Sequence, residues 1–345
     1  MQDRKKRESV IERRSKRKME ASSFVNRYFK RVASTESVLC VGLDPTPEHV
    51  PLDMRNGNII GDIERYLRKV ISIAAPLVPV VKTQVAYYSA LGPEGEVMLK
   101  RLIAYAHALG LLVILDAKRA DIGETMEQYG NEVFGEYGVD ACTFVPYLGP
   151  TFNPSWMKWL AQGRMVISMI RISNPEAAIL QDLELKESGL KVYEYLAELV
   201  AAWNAKVVKE TSGLGGVGGV VGATWPEQAP RCRELAGDEV FFLTPGYGAQ
   251  GGGADGAVAG LPTIPKKVDT LEVVGGRKLM GTVNSSRGIT LTSWWDPKAK
   301  QPREGKALDL VEAAIKAANT DLNAALARKL GIPILVSPYS VVSFA

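Results

Sequence analysis

The sequence predicts an α/β protein of one domain: a closed (β/α)8 barrel, of the TIM type, carrying a basic helical arm at its N-terminus. Two observations predict the barrel. Short apolar runs of strand length recur about eight times between residues 37 and 283, each followed by a helical pattern or by an irregular segment in a helix's place. Polar residues gather at or just beyond the C-terminal ends of these runs, where such barrels hold their active sites. With 345 residues, 46% of them hydrophobic and 23% charged, the chain can bury one large core. The expected division is an arm with the N-terminal helix (1–34), the barrel (35–335) and a short tail (336–345).

The elements follow in order. Arg4 to Arg7 and Arg13 to Lys18 are dense in Lys and Arg and read as a solvated arm. No aromatic interleaving or binding motif accompanies them, so neither a nucleic-acid nor a membrane partner is expected. Ser22 to Ala33 has apolar and aromatic residues at helical spacing, as for a helix laid against the fold. Ser37 to Leu43 reads as the first strand and ends in Gly42-Leu43-Asp44-Pro45. Asp44 there is either a ligand to sugar hydroxyls or a turn former, and locally the turn is favoured. A helix over Asp62 to Ala75 precedes a strand over Val78 to Val85 with Lys82 embedded in it, where snorkelling competes with a functional role.

After a helix over Gly95 to Leu109 comes the run that organises the chain, Leu111 to Ala117. Alternation along a strand points Asp116 and Lys118 the same way, and Asp121 falls where the chain turns. Mixed charges at the tip of a buried strand either satisfy one another or do chemistry, and locally both readings stand. A helix over Asp121 to Tyr137 follows, with Asp121 and Glu124 spaced as a capping box. The alternation continues through strands at Ala141–Val145, Met165–Ile172, Gly219–Ala223, Glu239–Thr244 and Lys278–Val283. Helices are expected at Pro154–Gln162, Leu190–Glu210, Glu227–Leu235 and Ala307–Leu330.

Several chemistries are excluded. No apolar run approaches the roughly 18 residues of a membrane span, and the basic N-terminus is unlike a signal peptide, which predicts a cytoplasmic protein. Cys40, Cys142 and Cys232 have no metal-ligand spacing, and His49 and His107 are the only histidines, so a His-based triad or His-rich metal site is not expected. Gly213, Gly215 and Gly218, and again Gly246, Gly248 and Gly251, fit G-x-G-x-x-G. The first set precedes a strand, and after the second no helix is expected to open, so a nicotinamide cofactor is rejected. Thr244 to Gly253 reads better as a phosphate-binding lid, with Gln250 as a donor and Arg287, after the eighth strand, as a forked cation.

These pieces together resemble orotidine 5′-monophosphate decarboxylase, in its longer bacterial and protozoan form. The matching motifs are Gly42-Leu43-Asp44-Pro45, Lys82, Asp116-x-Lys118-x-x-Asp121-Ile-Gly-x-Thr125, Pro146-Tyr147-Leu148-Gly149, Ser173-Asn174-Pro175, Val221-Gly222-Ala223-Thr224, Pro245-Gly246-Tyr247-Gly248-Ala249-Gln250-Gly251 and Ser286-Arg287-Gly288. The resemblance implies decarboxylation of orotidine 5′-monophosphate to uridine 5′-monophosphate, without cofactor or metal, by an alternating network of Lys82, Asp116, Lys118 and Asp121. Lys118 would stabilise the C6 carbanion and donate the proton. The resemblance also implies a homodimer in which Asp121 and Thr125 reach the partner's site. Asp44 would contact the ribose, Ser173 the pyrimidine, and Gln250 and Arg287 the phosphate, while Asn174, Pro245 and Gly288 complete the substrate-binding set. Val145 replaces an Asn frequent in the family, Ile172 a Thr. An association with orotate phosphoribosyltransferase is left open. The rival readings are a Mg²⁺-dependent sugar-phosphate decarboxylase of the same barrel superfamily and a non-catalytic nucleotide-binding barrel.

Overall fold

The computed structural model describes residues 22–262 and 280–330. Among them are eight parallel strands: β1 Leu39–Gly42, β2 Val80–Gln84, β3 Leu112–Arg119, β4 Ala141–Phe144, β5 Met165–Arg171, β6 Gly216–Val221, β7 Phe242–Pro245 and β8 Gly281–Ser285. They pair in chain order, and β8 returns to β1 with Leu39 opposite Val283 and Cys40 opposite Asn284, so the expected barrel closes. The basic arm, the tail from 336 and the first two residues of the expected eighth strand lie outside the described residues.

Closure buries both faces of every strand, and the alternation of side chains sorts them into two cores. On β3, Leu112 and Ile114 enter the barrel interior with Val80 and Ala141, while Val113 and Leu115 join the layer between strands and helices. The helix Phe24–Thr35 does more than lie against the fold. Its Phe24, Tyr28, Phe29 and Val32, repeating at helical spacing, enter the interior cluster beside Met165, Phe241 and Met280 at the N-terminal ends of the strands. Phe24 and Tyr28 meet Phe241 edge-on with ring centroids 5.3 and 5.0 Å away, and the Tyr28 hydroxyl donates to the Gly281 carbonyl at 2.7 Å. The helix therefore plugs the lower mouth and leaves the C-terminal mouth open.

Some boundaries differ from the sequence expectation. The helix expected from Asp121 starts at Gly123, whose φ of 52° makes a left-handed turn, and continues beyond Gly130 as a π-helical turn over Asn131–Glu136. Asp121 is not its cap: its Oδ1 accepts the N–H of Ile122 at 2.8 Å, and the capping box with Glu124 does not form. The expected helix Pro154–Gln162 resolves into two turns, Phe152–Ser155 and Met157–Leu160. β6 begins at Gly216, so Gly218 lies inside a strand, where a Cβ would come within 2.5 Å of the Phe241 carbonyl oxygen. The second glycine set is followed by a short helix, Ala254–Val258, that the sequence did not announce. The long helix begins at Val192, two residues late, while Ala307–Leu330 stands as expected.

A buried carboxylate fastens the lower end. Asp140, 2% exposed, accepts from Arg27 of the plug helix, from His107 Nε2 at 2.8 Å, from the Val113 N–H at 2.8 Å and from Arg164 at 3.3 Å. Burial alone would raise its carboxyl, but the hydrogen bond from His107 and the charge of Arg27 outweigh that and hold it at about 2. Asp140→Asn is expected to destabilise the fold by about 3 kcal/mol, because cationic partners are left without their charge. The sign with pH follows from the depressed value: the native ion contributes fully above the ordinary carboxyl value of 3.8 and is lost as pH falls through about 2. Denaturant melts at pH 6 and below should accordingly show the variant missing about 2 kcal/mol of the wild type's acid sensitivity.

Candidate active site

The alternation that fills the lower barrel with apolar side chains turns polar at the top. Two residues above Val80 comes Lys82, two above Ile114 comes Asp116, and two above Ala141 comes Thr143. They surround a cavity of about 240 Å³ at the C-terminal mouth. Asp44, Lys82, Asp116, Lys118, Ser173, Asn174, Pro245 and Gln250, all singled out in the sequence, line it.

Lys82, 4% exposed, does not snorkel. Its Nζ lies 3.7 Å from Asp44 Oδ2 and 3.5 Å from Asp116 Oδ2. Burial pulls the ammonium down, yet Asp44 and then Asp116 more than compensate and keep it above the usual lysine range. Asp44 is also anchored by the Gln84 N–H at 3.0 Å, so it is more than a turn former. Asp116 Oδ1 accepts from Lys118 Nζ at 2.6 Å and from the Thr143 hydroxyl at 2.8 Å. Burial would raise Asp116, but Lys82 and Lys118, with those two hydrogen bonds, hold it below the usual carboxylate range. The result is a line of alternating charge, Asp44, Lys82, Asp116, Lys118, whose last ammonium is the exposed end.

Asp121 and Thr125 are not brought to this cavity. Asp121 is half-buried and bonded to the following backbone, and Thr125 is exposed on the first turn of the helix Gly123–Gly130. Ile122, Tyr147 and Leu148, on the loops after the adjacent strands β3 and β4, are exposed at 63%, 85% and 46%.

The rim opposite belongs to the loops after β5, β7 and β8. Ser173 Oγ donates to Gln250 Oε1 at 2.9 Å, linking the expected pyrimidine and phosphate sides. The glycine loop is internally bonded: the N–H groups of Gly248, Gly251 and Gly252 donate to Gly252, Gly248 and Gly246. Those three amides are therefore occupied within the loop, contrary to the expectation that its glycine N–H groups face an anion. Gly246 has a φ of 102°, and at Gly252 a Cβ would lie 2.6 Å from the Gly246 carbonyl oxygen, so glycine is required at both. Arg287 and Gly288 stand in the turn Arg287–Thr290, just past the lining residue Ser286; Arg287 is exposed. Its charge reaches His49, which burial first and Arg287 with it hold below the usual histidine range. The loops after β1 and β8 meet closely: a Cβ on Gly42 would sit 1.8 Å from Ser286 Oγ.

Gln84, Thr143, Met169 and Asn284 also line the cavity and were not singled out in the sequence, and Ser286 of the Ser286-Arg287-Gly288 motif joins them. A signal existed for Gln84 and Thr143, each two residues above an inward position on its strand. Ile172 lines the cavity, whereas Val145 packs against the interior cluster.

The chain matches the model of the Orotidine 5′-phosphate decarboxylase / HUMPS family over residues 37–287. An orotidine 5′-phosphate decarboxylase of Rhodopirellula baltica is 33% identical over 87% of this chain and 99% of its own. That of Haloarcula marismortui is 38% identical over 77% of this chain and 86% of its own. Among solved structures, the OMP decarboxylase of Leishmania donovani superposes with a TM-score of 0.64 at 26% identity, covering 87% of this chain and 96% of that one. With the alternating charges at the mouth of an eight-stranded barrel, these matches establish that the chain belongs to the orotidine 5′-phosphate decarboxylase family.

Proposed function

We propose that this chain is a carboxy-lyase that converts orotidine 5′-monophosphate to uridine 5′-monophosphate, the last step of de novo pyrimidine synthesis. The observation that carries the reading is the alternation of Asp44, Lys82, Asp116 and Lys118 lining one cavity, anchored on the buried Lys82. Loss of CO₂ breaks the bond to C6 of the pyrimidine and leaves its electron pair on that carbon, which has no adjacent electron sink. The protein must then stabilise the charge directly. Lys118 places an ammonium there and transfers its proton to C6, and solvent later returns a proton to the amine. Asp116 keeps that ammonium charged and aimed, aided by Asp121 of the partner subunit.

Lys82 belongs to the catalytic charge network; Asp44 contacts the ribose, Ser173 the pyrimidine, and Gln250 and Arg287 the phosphate, with Asn174, Pro245 and Gly288 completing the substrate-binding set. Phosphate binding is remote from the reacting carbon, so its energy orders the glycine loop and the site rather than acting on the bond that breaks. The enzyme works as a homodimer in this reading. Support comes from Asp121 and Thr125 standing outside their own chain's cavity, with Ile122 beside Asp121 and Tyr147 and Leu148 on the loop after the adjacent strand β4 all exposed. A cytoplasmic location is part of the same reading; among the described residues no helix is long and apolar enough to cross a membrane.

The direct test is ultraviolet absorbance of the purified protein with orotidine 5′-monophosphate, with and without EDTA. A fall in absorbance indifferent to EDTA is expected; turnover that chelation abolishes would instead favour metal-dependent chemistry on a sugar phosphate. Variants should separate the roles. Lys118→Ala is expected to abolish turnover, whereas Arg287→Ala should raise KM by about 10- to 100-fold with kcat less affected, the value of a charged hydrogen bond. Equal losses in kcat alone for both would contradict the division. Mixing inactive Lys118→Ala with inactive Asp121→Ala and allowing subunits to exchange should restore activity, since a mixed dimer rebuilds one intact site. Failure to restore it, with exchange verified, would place Asp121 outside the shared site.

A further inference from the structure

The ladder between β3 and β4 is interrupted at the point where the charges are presented. Ile114 lies opposite Ala141 and Leu115 opposite Cys142, but the next pair is Arg119 with Phe144. Asp116, Ala117 and Lys118 on β3 thus face one residue, Thr143, on β4. Such a bulge re-aims side chains and leaves backbone groups without ladder partners. Lys118 also takes a φ of 47°, a left-handed conformation uncommon for a non-glycine residue, so something must hold it.

Thr143 supplies the hold. Its side chain is buried, and its Oγ1 accepts the N–H of Lys118 at 2.9 Å, replacing the missing ladder bond. Its hydroxyl proton goes to Asp116 Oδ1 at 2.8 Å, the same oxygen that receives Lys118 Nζ at 2.6 Å. Three residues close a ring of four groups: backbone of Lys118, hydroxyl of Thr143, carboxylate of Asp116, ammonium of Lys118. A hydroxyl has one proton to give, and here it is committed to the carboxylate. Although Thr143 lines the cavity, its role is toward its neighbours rather than toward a ligand.

We propose that Thr143 is a positioning residue of the decarboxylation site, fixing the Asp116 carboxylate and the left-handed Lys118 backbone so that the Lys118 ammonium meets the reacting carbon. The inference rests on the decarboxylase reading above. It distinguishes Thr143 from a residue that only fills the core, because a methyl in place of the hydroxyl keeps the volume and removes both bonds.

The experiment compares wild type, Thr143→Val and Thr143→Ser in the full-length protein, with steady-state kinetics against pH and thermal melting of each. Thr143→Val is expected to lower kcat by about 10- to 100-fold, as small misplacements of a reacting group do, with KM changed far less. Thr143→Ser, which keeps the hydroxyl, should recover most of that loss. The acid limb of kcat in Thr143→Val should move to higher pH, since the carboxylate loses a donor to its charged form. The other groups facing Asp116 are Lys82 from β2, Lys118 on its own strand, Cys40 from β1, Cys142 from β4, Asp44 through Lys82, and in the dimer Asp121 of the partner subunit; none is altered. An unchanged kcat in Thr143→Val, or equal losses in both variants that track a lowered melting temperature, would overturn the role. A wild type inert toward orotidine 5′-monophosphate would overturn the decarboxylase reading itself, and this role with it.

Discussion

The site depends on burying one ammonium. Lys82 sits almost wholly out of solvent among apolar strands, a position that costs several kcal/mol for an isolated ion. Two carboxylates within 4 Å, Asp44 from the end of β1 and Asp116 from β3, make that position tenable. Neither carboxylate would be comfortable without Lys82, so three neighbouring strands must end at matching heights. The parallel register, with Gly42 beside Lys82 and Lys82 beside Ile114, delivers that match. Asp116 can then turn its other oxygen to Lys118, and the buried charge is carried by stages to a side chain that solvent and a ligand can reach.

That transfer requires β3 to leave its ladder, and a strand that leaves its ladder loses hydrogen bonds that a buried backbone needs. The bulge at Asp116 to Lys118 and the left-handed Lys118 are the local cost of aiming two charges inward from one strand. The Thr143 hydroxyl offsets it without adding charge to the site. At the opposite end the same need for satisfied polar groups is met differently: Asp140 gathers two arginines, a histidine and a backbone N–H around the plug helix.

Much of this was legible in the sequence because closure imposes period-two patterning and chain-order pairing. The eight runs and the long last helix were readable from apolar periodicity alone, and the shared direction of Asp116 and Lys118 from their spacing of two; the charge network itself came from the family resemblance, with Asp121 where the structure places Asp44. What escaped notice shares a physical reason. Thr143, Gln84 and Asn284 are uncharged, and a lone polar residue on a strand carries no local sign of whether it meets solvent, a ladder or a cavity. The delayed helix after Asp121 turns on the backbone angle of Gly123, which composition does not reveal. The plug role of Phe24–Thr35 depends on a long-range contact with Phe241 and Met280, invisible to any local window.

The two ends of the barrel divide the work. The lower end is packed by aromatic side chains of the plug helix and fastened by the Asp140 carboxylate, so it contributes stability. The upper end presents charge to the cavity: Lys118 is nearly half exposed, while the loop amides of Gly248, Gly251 and Gly252 bond within their own loop. At this rim the Ser173 to Gln250 hydrogen bond joins the loops after β5 and β7. A charge line held in place by its own ion pairs is what a reaction needs when its transition state demands fixed electrostatics.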